Sequence, residues 1–271
     1  MSPPALGPAT GDSDFIAQIE PLLRAAGVRD RVSAIRLHDG PPVCAHFGAG
    51  PDTVYEIGSI TKTMTSLLFA EAVEAGRVRR DTSLGSVFDL AGSHAGGVTL
   101  EELASHRSGL PRVATRTADR VHALLAVTRH RSPYTADVAA LIRQAATAKI
   151  VRRGVFSYSN LGAALLGQAL AARTGTGFPE LLERHLFRPL EMTRTTTPLG
   201  PRDLPAEAAT GWSARGAKEQ AWTMNAYAPA GGVRSTPADM TRYAQALLDG
   251  RVPGLAALDP RWDADNGTRI G

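Results

Sequence analysis

One short stretch decides how the rest of this chain is interpreted: Thr53-Val54-Tyr55-Glu56-Ile57-Gly58-Ser59-Ile60-Thr61-Lys62. Its first half alternates in the manner of a short strand, and the apolar residues after Lys62 recur at helical spacing as far as Gly76. We therefore predict a strand that leads directly into a helix starting near Ser59. Positions three apart on a helix share a face, so the side chains of Ser59 and Lys62 can meet.

The Ser59 and Lys62 pair indicates nucleophilic chemistry. A serine hydroxyl is a weak nucleophile until a nearby group removes its proton, and partial burial lowers a lysine pKa enough for its neutral amine to act as that base. A bare Ser-x-x-Lys is more often an N-cap serine followed by a surface lysine. Here the pattern occurs once, in a chain with only three lysines. Gly58 would allow close backbone approach, and the Ser59 amide could form half of an oxyanion hole.

A second group of reactive residues is Tyr158-Ser159-Asn160, which we place in a loop before a helix starting at Leu161. A phenol beside a lysine ammonium has its anionic form favoured, so Tyr158 could exchange protons with the nucleophile and the leaving group. Asn160 offers a carbonyl to the lysine and an amide to a substrate. Alone this motif is weak, because Tyr158 could be a core tyrosine and Asn160 a helix N-cap. The two motifs together are stronger evidence than either.

Composition argues against several other classes of protein. The 271 residues, 43% of them hydrophobic, can fill a large core. The formal charge of +4 reflects a bias to arginine. The sequence contains no basic run with interleaved aromatic residues, the pattern that would predict nucleic-acid binding. Cys44 is the only cysteine, which excludes an internal disulfide. The sequence contains no His-Glu-x-x-His, the pattern that would predict a metal site. Residues 1–14 carry no secretory signal and no stretch is long enough for a membrane span, so we expect the chain as written to be cytoplasmic.

Periodicity and turn residues give a coarse secondary structure. We predict a flexible lead over residues 1–13 and one domain over 14–271, with a loop-rich segment at 198–227. Thr236 is a predicted N-cap with Pro237 at the first helical position. The predicted elements are a helix over 15–27, strands over 32–37 and 43–47 that form a hairpin, and helices over 59–76, 161–170, 178–186 and 237–248.

Several segments resemble one known family. The chain is similar to the serine β-lactamase-related proteins, which include class C β-lactamases, DD-peptidases and related esterases. The matching segments span most of the chain from Thr53 to Leu248. They are the stretch at 53–62, Leu-Ala-Ser-His-Arg-Ser-Gly-Leu-Pro at 103–111, Phe-Ser-Tyr-Ser-Asn-Leu-Gly at 156–162, Pro-Leu-Glu-Met-Thr at 189–193, and Pro-Ala-Gly-Gly-Val-Arg-Ser-Thr at 229–236.

The resemblance implies an α+β fold of the β-lactamase/transpeptidase type, an antiparallel sheet flanked by helices beside a mostly helical region. It implies that Ser59 is acylated, that Lys62 and Tyr158 manage the protons, and that Asn160 holds the substrate amide. No metal or other cofactor is implied. In the family the segment around His106 is a structural loop, so we expect His106 to be structural rather than a triad base. The implied partner is a small-molecule or peptide acyl substrate: a β-lactam, a D-Ala-D-Ala peptide or a small ester.

One family feature is not found in this sequence. The third motif, Lys-Thr-Gly or His-x-Gly on a strand downstream of Gly231, has no counterpart, because His38-Asp39-Gly40 and His94-Ala95-Gly96 lie on the wrong side of the serine or the tyrosine. We therefore expect the C-terminal strands of the domain to be missing. The N-terminal hairpin would then have an unpaired edge and an uncovered apolar face, and residues 1–271 alone would self-associate and be nearly inactive.

The missing motif also leaves a second function open. The alternative to a serine hydrolase is a non-catalytic penicillin-binding-like protein that binds such ligands, or an inactive fragment. The substrate and the oligomeric state are left open by the sequence.

Overall fold

A computed structural model describes residues 5–27, 29–206, 208–264 and 267–270. Its α-helices are α1 (Ser13–Ala25), α2 (Thr61–Glu74), α3 (Leu100–Ala104), α4 (Thr117–Thr128), α5 (Val138–Ala146), α6 (Asn160–Thr174), α7 (Phe178–Leu182), α8 (Ala228–Gly231) and α9 (Pro237–Leu248). Its strands are β1 (Ala9–Gly11), β2 (Val32–Arg36), β3 (Val43–Phe47), β4 (Tyr55–Glu56), β5 (Gly211–Trp212), β6 (Lys218–Glu219), β7 (Arg234–Ser235), β8 (Trp262–Asp263) and β9 (Arg269–Ile270).

Strands β1, β3 and β2 form a three-stranded antiparallel sheet in that order. Val32 lies opposite Phe47 in the ladder between β2 and β3, which confirms the predicted hairpin. Strand β1 pairs along the other edge of β3, with Ala9 also opposite Phe47. This strand lies within residues 1–13, where the sequence predicted a flexible lead. The strand pairs through backbone groups, and its Ala-Thr-Gly sequence has no apolar alternation. The sequence pattern therefore could not predict it.

Helix α1 covers one face of the sheet. Asp12 caps the helix by accepting the Phe15 N–H at 2.8 Å, and Phe15 packs with Ala45 and Phe47 in a small hydrophobic cluster. The expectation of a hairpin with an uncovered apolar face is therefore wrong. The outer edge of β3 in this hairpin is also paired, with β1. Among the described strands, β2 pairs only with β3.

The main hydrophobic core lies around α2 and α6. Helix α6 is buried on nearly all sides, and its N-cap is Ser159, whose Oγ accepts the Gly162 N–H at 2.9 Å. A Cβ atom at Gly167 would lie 2.4 Å from the Pro229 side chain, so glycine is what allows α6 to approach α8 this closely. This packing holds the main chain of α8 beside α2.

The strand predicted before Ser59 is β4. It pairs antiparallel with β7, with Glu56 opposite Arg234, so the segment that precedes the serine is joined to the segment that follows α8. Farther along the chain, the helix predicted over 178–186 is α7 continued by a π-helix, Glu183–Phe187.

The C-terminal part of the described chain is helix α9 and a small hairpin. Thr236 caps α9 by accepting the Asp239 N–H at 3.2 Å, and Pro237 is the first helical residue, as predicted. Strands β8 and β9 then pair antiparallel, with Trp262 opposite Ile270. Across the described ranges, no helix combines the length and the apolar character required to cross a bilayer.

Candidate active site

Ser59 lies in a tight turn between strand β4 and helix α2. The turn is a 3-10 helix, Gly58–Ile60, and α2 begins only at Thr61, so the serine precedes the helix by two residues. Gly58 has a φ of 53°, a left-handed conformation that favours glycine. A Cβ at Gly58 would meet nothing within 4 Å, so the glycine is explained by its backbone angle and not by the close approach that the sequence suggested. The turn leaves Ser59 exposed.

Lys62 lies one turn further along, with its side chain buried. Its Nζ donates hydrogen bonds to Ser59 Oγ at 3.1 Å and to the backbone carbonyl of Ala230 in α8 at 2.5 Å. Only 9% of the residue is exposed. Burial lowers the pKa of Lys62 below its usual value and the charge of Arg112 lowers it further, although interactions with Tyr158 act in the opposite direction. A larger fraction of neutral amine is therefore present than for a surface lysine.

Tyr158 reaches the same serine from the loop before α6. Its hydroxyl donates to Ser59 Oγ at 2.8 Å, and Lys62 Nζ lies 4.8 Å from the centroid of its ring. Burial would raise the pKa of Tyr158, but its interactions with Lys62, Ser59 and Arg112 outweigh burial and bring the pKa below the usual value. The serine oxygen therefore has two proton-exchanging groups within hydrogen-bonding distance.

Arg112 is a site residue that the sequence did not single out. Its guanidinium carbon lies 5.6 Å from the centroid of the Tyr158 ring. Its backbone carbonyl accepts the N–H groups of Asn160 and Leu161 at 2.9 and 3.2 Å, which ties the 103–111 segment to the start of α6. In an arginine-rich chain nothing in the pattern marked this arginine, although it directly follows that segment.

Asn160 is near Tyr158 but does not contact the lysine as predicted. Its Nδ2 donates to the Tyr134 hydroxyl at 3.1 Å, and within the described residues its buried Oδ1 has no hydrogen-bond partner. The lysine is held by the Ala230 carbonyl instead. Asn160 is also not the N-cap of α6, because Ser159 fills that position.

His106 packs against the Tyr158 ring and the main chain of the loop that carries it. The ring centroids of His106 and Tyr158 are 4.7 Å apart, and His106 Nδ1 accepts the Ser159 backbone N–H at 3.2 Å. Burial, with a smaller effect of the Lys62 charge, lowers the pKa of His106 to about 4, so the imidazole is neutral at neutral pH. Its hydrogen bond is to the main chain rather than to the Ser59 hydroxyl, an arrangement that fits a supporting role.

An ion pair with one buried partner anchors the strand that leads to the serine. Arg234 in β7 pairs with Glu56 in β4, and the Arg234 side chain is 1% exposed. Glu56 also accepts the Trp222 backbone N–H at 2.8 Å, which brings the loop-rich 198–227 segment to this edge of the site. No three His, Cys, Asp or Glu side chains in the described parts of the chain come together as a possible metal site.

Comparison with known proteins agrees with this architecture. The β-lactamase family model matches residues 17–270. The class C β-lactamase of Rhodobacter sphaeroides superimposes with a TM-score of 0.77 at 22% identity, over 96% of this chain and 74% of that one. The β-lactamase/D-alanine carboxypeptidase of Pseudomonas syringae gives a TM-score of 0.78 at 18% identity, over 95% of this chain and 73% of that one. The predicted α+β fold of the β-lactamase/transpeptidase type is thereby confirmed.

Similar curated proteins are longer than this chain. The D-alanyl-D-alanine-carboxypeptidase/endopeptidase AmpH of Escherichia coli K12 is 32% identical over 206 residues, which cover 73% of this chain and 49% of AmpH. Penicillin-binding protein 4 of Amycolatopsis lactamdurans is 29% identical over 253 residues, 86% of this chain and 59% of that protein. The chain thus spans roughly half of the length of these relatives. Because the family model extends over nearly all of the sequence and the fold is shared, this chain belongs to the β-lactamase family of serine hydrolases.

Proposed function

We propose that this protein is a serine hydrolase that cleaves an ester or an amide through an acyl-serine intermediate on Ser59. The observation that supports this most strongly is the convergence of Lys62 Nζ and the Tyr158 hydroxyl on Ser59 Oγ, at 3.1 and 2.8 Å. Both partners have a lowered pKa, so each loses its proton more readily than the free side chain. An exposed hydroxyl next to two such groups can be deprotonated as it attacks.

In the acylation step, Ser59 Oγ attacks the substrate carbonyl carbon and its proton passes to the Lys62 amine or the Tyr158 phenolate. The Ser59 backbone N–H, in the first turn of its 3-10 helix, donates to the developing oxyanion. The bond from the carbonyl carbon to the leaving nitrogen or oxygen then breaks, and the leaving group takes up the proton that Lys62 or Tyr158 received from Ser59. Water releases the acyl group by the reverse sequence of transfers.

Asn160 is proposed to bind the substrate amide. Its Nδ2 is occupied by Tyr134, and its Oδ1 has no partner in the described part of the chain but is buried, so the amide must turn toward the site before it accepts a substrate N–H. The substrate itself is a proposal: a β-lactam, a D-Ala-D-Ala peptide or a small ester. The peptide is included because one relative is named a D-alanyl-D-alanine-carboxypeptidase/endopeptidase.

The proposed function is tested by covalent labelling. A fluorescent fluorophosphonate should label the wild-type chain at Ser59, identified by peptide mass spectrometry, and should not label Ser59→Ala. Turnover of a β-lactam, a D-Ala-D-Ala peptide and a p-nitrophenyl ester would then identify the substrate class. A cooperatively folded protein that resists labelling and turns over none of the three would contradict the hydrolase and support the non-catalytic ligand-binding alternative.

A further inference from the structure

A large cavity lies between α4, α5 and the loop-rich segment. Its volume is about 640 Å³. Aliphatic side chains from α4 and the loop before it form one wall, and aromatic side chains form another. The main apolar lining residues are Val113, Leu124, Val127, Tyr134, Trp222 and Tyr227. We call this cavity the acyl pocket.

Two connections link the wall of the acyl pocket to the segment that carries Tyr158 and Asn160. Tyr134 in its wall accepts a hydrogen bond from Asn160, two residues after the Tyr158 that contacts Ser59. Val113 in its rim directly follows Arg112, whose carbonyl accepts the first amides of α6. The pocket is therefore joined to the segment that carries Tyr158 and Asn160, although Ser59, Lys62 and Tyr158 do not themselves line it.

A third connection comes from the other side of the site. Trp222 in the pocket wall is held by its backbone N–H to Glu56, three residues before Ser59. Its ring packs edge-on against Tyr134, with centroids 5.6 Å apart, and Tyr134 packs against Tyr227 at 5.2 Å. The aromatic wall is thus fixed to both segments that carry the proposed catalytic residues.

Several polar groups in the pocket lining are occupied with each other. Gln144 donates to Asp119 Oδ1 at 3.0 Å and accepts from the Tyr227 hydroxyl at 2.8 Å. His122 and Thr135 share a hydrogen bond of 3.1 Å. The remaining oxygen of Asp119, Oδ2, is buried and has no hydrogen-bond partner among the described residues. The surface offered to a ligand is therefore largely apolar.

Helix α4 leaves an unusual amount of apolar surface uncovered at this pocket. Leu124 is 64% exposed and Val127 53% exposed, and Trp222 across the opening is 36% exposed. A contiguous exposed apolar surface that lines a cavity indicates ligand binding, because protein surfaces without a binding role seldom expose large apolar patches.

We propose that the acyl pocket binds an apolar chain or ring in the acyl part of the substrate, so that the enzyme prefers medium-length aliphatic or aryl acyl groups to acetyl. This inference rests on the proposed acyl-serine function and adds its substrate class. Burying one methylene group improves binding about fourfold. With incomplete burial, we expect kcat/KM for p-nitrophenyl esters to rise about tenfold from acetate to butyrate and again from butyrate to hexanoate.

A matched pair of variants tests the pocket. Leu124→Asp places a charge in its wall, and Leu22→Asp makes the same change on α1, where the leucine is similarly exposed at 68%. The hexanoate-to-acetate ratio of kcat/KM should fall about tenfold in Leu124→Asp and stay unchanged in Leu22→Asp. A flat or inverted chain-length series in wild type, or equal ratios in the two variants, would overturn the proposal.

A binding experiment separates this proposal from the hydrolase proposal. Octanamide is titrated into Ser59→Ala, and the tryptophan fluorescence that disappears in Trp222→Phe is followed. A saturable change that weakens with Leu124→Asp supports the pocket even where ester turnover and phosphonate labelling fail, in which case only the proposed hydrolysis is contradicted. If the Trp222 signal shows no saturable change, the acyl pocket proposal is overturned, whatever the labelling result.

Discussion

Lys62 Nζ lies 3.1 Å from Ser59 Oγ, although the lysine is buried and the serine is open to solvent. The arrangement arises because the 3-10 turn puts Ser59 at the surface while the first turn of α2 directs Lys62 inward. Inward, the ammonium finds the Ala230 carbonyl, and Thr65 one turn later donates to the neighbouring Pro229 carbonyl at 2.9 Å. Helix α2 is therefore joined to α8 by two side chains that reach main-chain acceptors.

The role of Lys62 as a base can be separated from its charge. Lys62→Arg keeps the positive charge, but a guanidinium does not lose its proton at usable pH, so we expect kcat/KM to fall on the order of 10²-fold or more. Lys149→Arg, at an exposed position, is the control for a general effect of the exchange. Steady-state kinetics on any substrate accepted by the wild type measures this, and wild-type rates in Lys62→Arg would restrict the lysine to an electrostatic or structural role.

Tyr158→Phe should slow both acylation and deacylation, by roughly 10²–10⁴-fold for loss of a positioned acid–base group. It should also move the pH profile. Tyr158 raises the pKa of Lys62, so its removal should lower that pKa and shift the acid limb of kcat/KM to lower pH. Stopped-flow acylation across the pH range gives both quantities. A changed KM with an unmoved acid limb would assign Tyr158 to substrate binding instead.

His106 should make folding stability depend on pH in the acid range. Its pKa is about 4 in the folded chain, below the ordinary value of 6.5, so the unfolded state binds the extra proton first. Stability is complete above pH ~6.5 and falls as the pH drops toward 4, by up to about 3 kcal/mol from this group. His46, whose pKa burial also lowers, adds to the same loss.

Urea unfolding near neutral pH and near pH ~4 measures this dependence. His106→Asn is the informative variant, because the residue has a φ of 55° and asparagine tolerates that left-handed conformation. The variant should lose less stability between the two pH values than the wild type. Equal acid losses in both proteins would mean that His106 titrates normally.

The pair of Glu56 and Arg234 should be important for stability because only one partner reaches water. Glu56→Ala leaves a guanidinium that is 1% exposed without its carboxylate, and Arg234 Nε and Nη1 already lack partners in the described chain. We expect a loss of about 3 kcal/mol in the free energy of unfolding. Glu74→Ala, at an exposed position ending α2, should change it by less than about 0.5 kcal/mol. Similar denaturation midpoints for the two variants would show that Arg234 is stabilised by other groups.

Local patterns predicted much of this molecule. The helical spacing of Ser59 and Lys62, the hairpin of β2 and β3, and the cap at Thr236 each depend on residues close together in the sequence, and each is present in the structure. The contact between Tyr158 and Ser59 is not local. It was reached only because two weak motifs resembled one family.

The rest had no local signal. The acceptor for Lys62 is a carbonyl, which every residue possesses, so the sequence could not distinguish Ala230 as a partner. Arg112 was one arginine among many, and its position over Tyr158 depends on how the 103–111 segment packs against α6. Asn160 was expected to face Lys62, but its amide is directed to Tyr134, a residue that no motif contained.

Gly167 has a consequence for how this chain tolerates genetic change. Since the Ala230 acceptor is a main-chain atom, replacing the side chain does not remove the acceptor itself, but Ala230 is buried, so a larger side chain there would displace α8 and the carbonyl with it. The hydrogen bond from Lys62 depends on how closely α8 is seated, which Gly167 determines by leaving room for Pro229. A side chain introduced at Gly167 would thus act on the proposed hydrolysis indirectly, through the position of the carbonyl that holds Lys62.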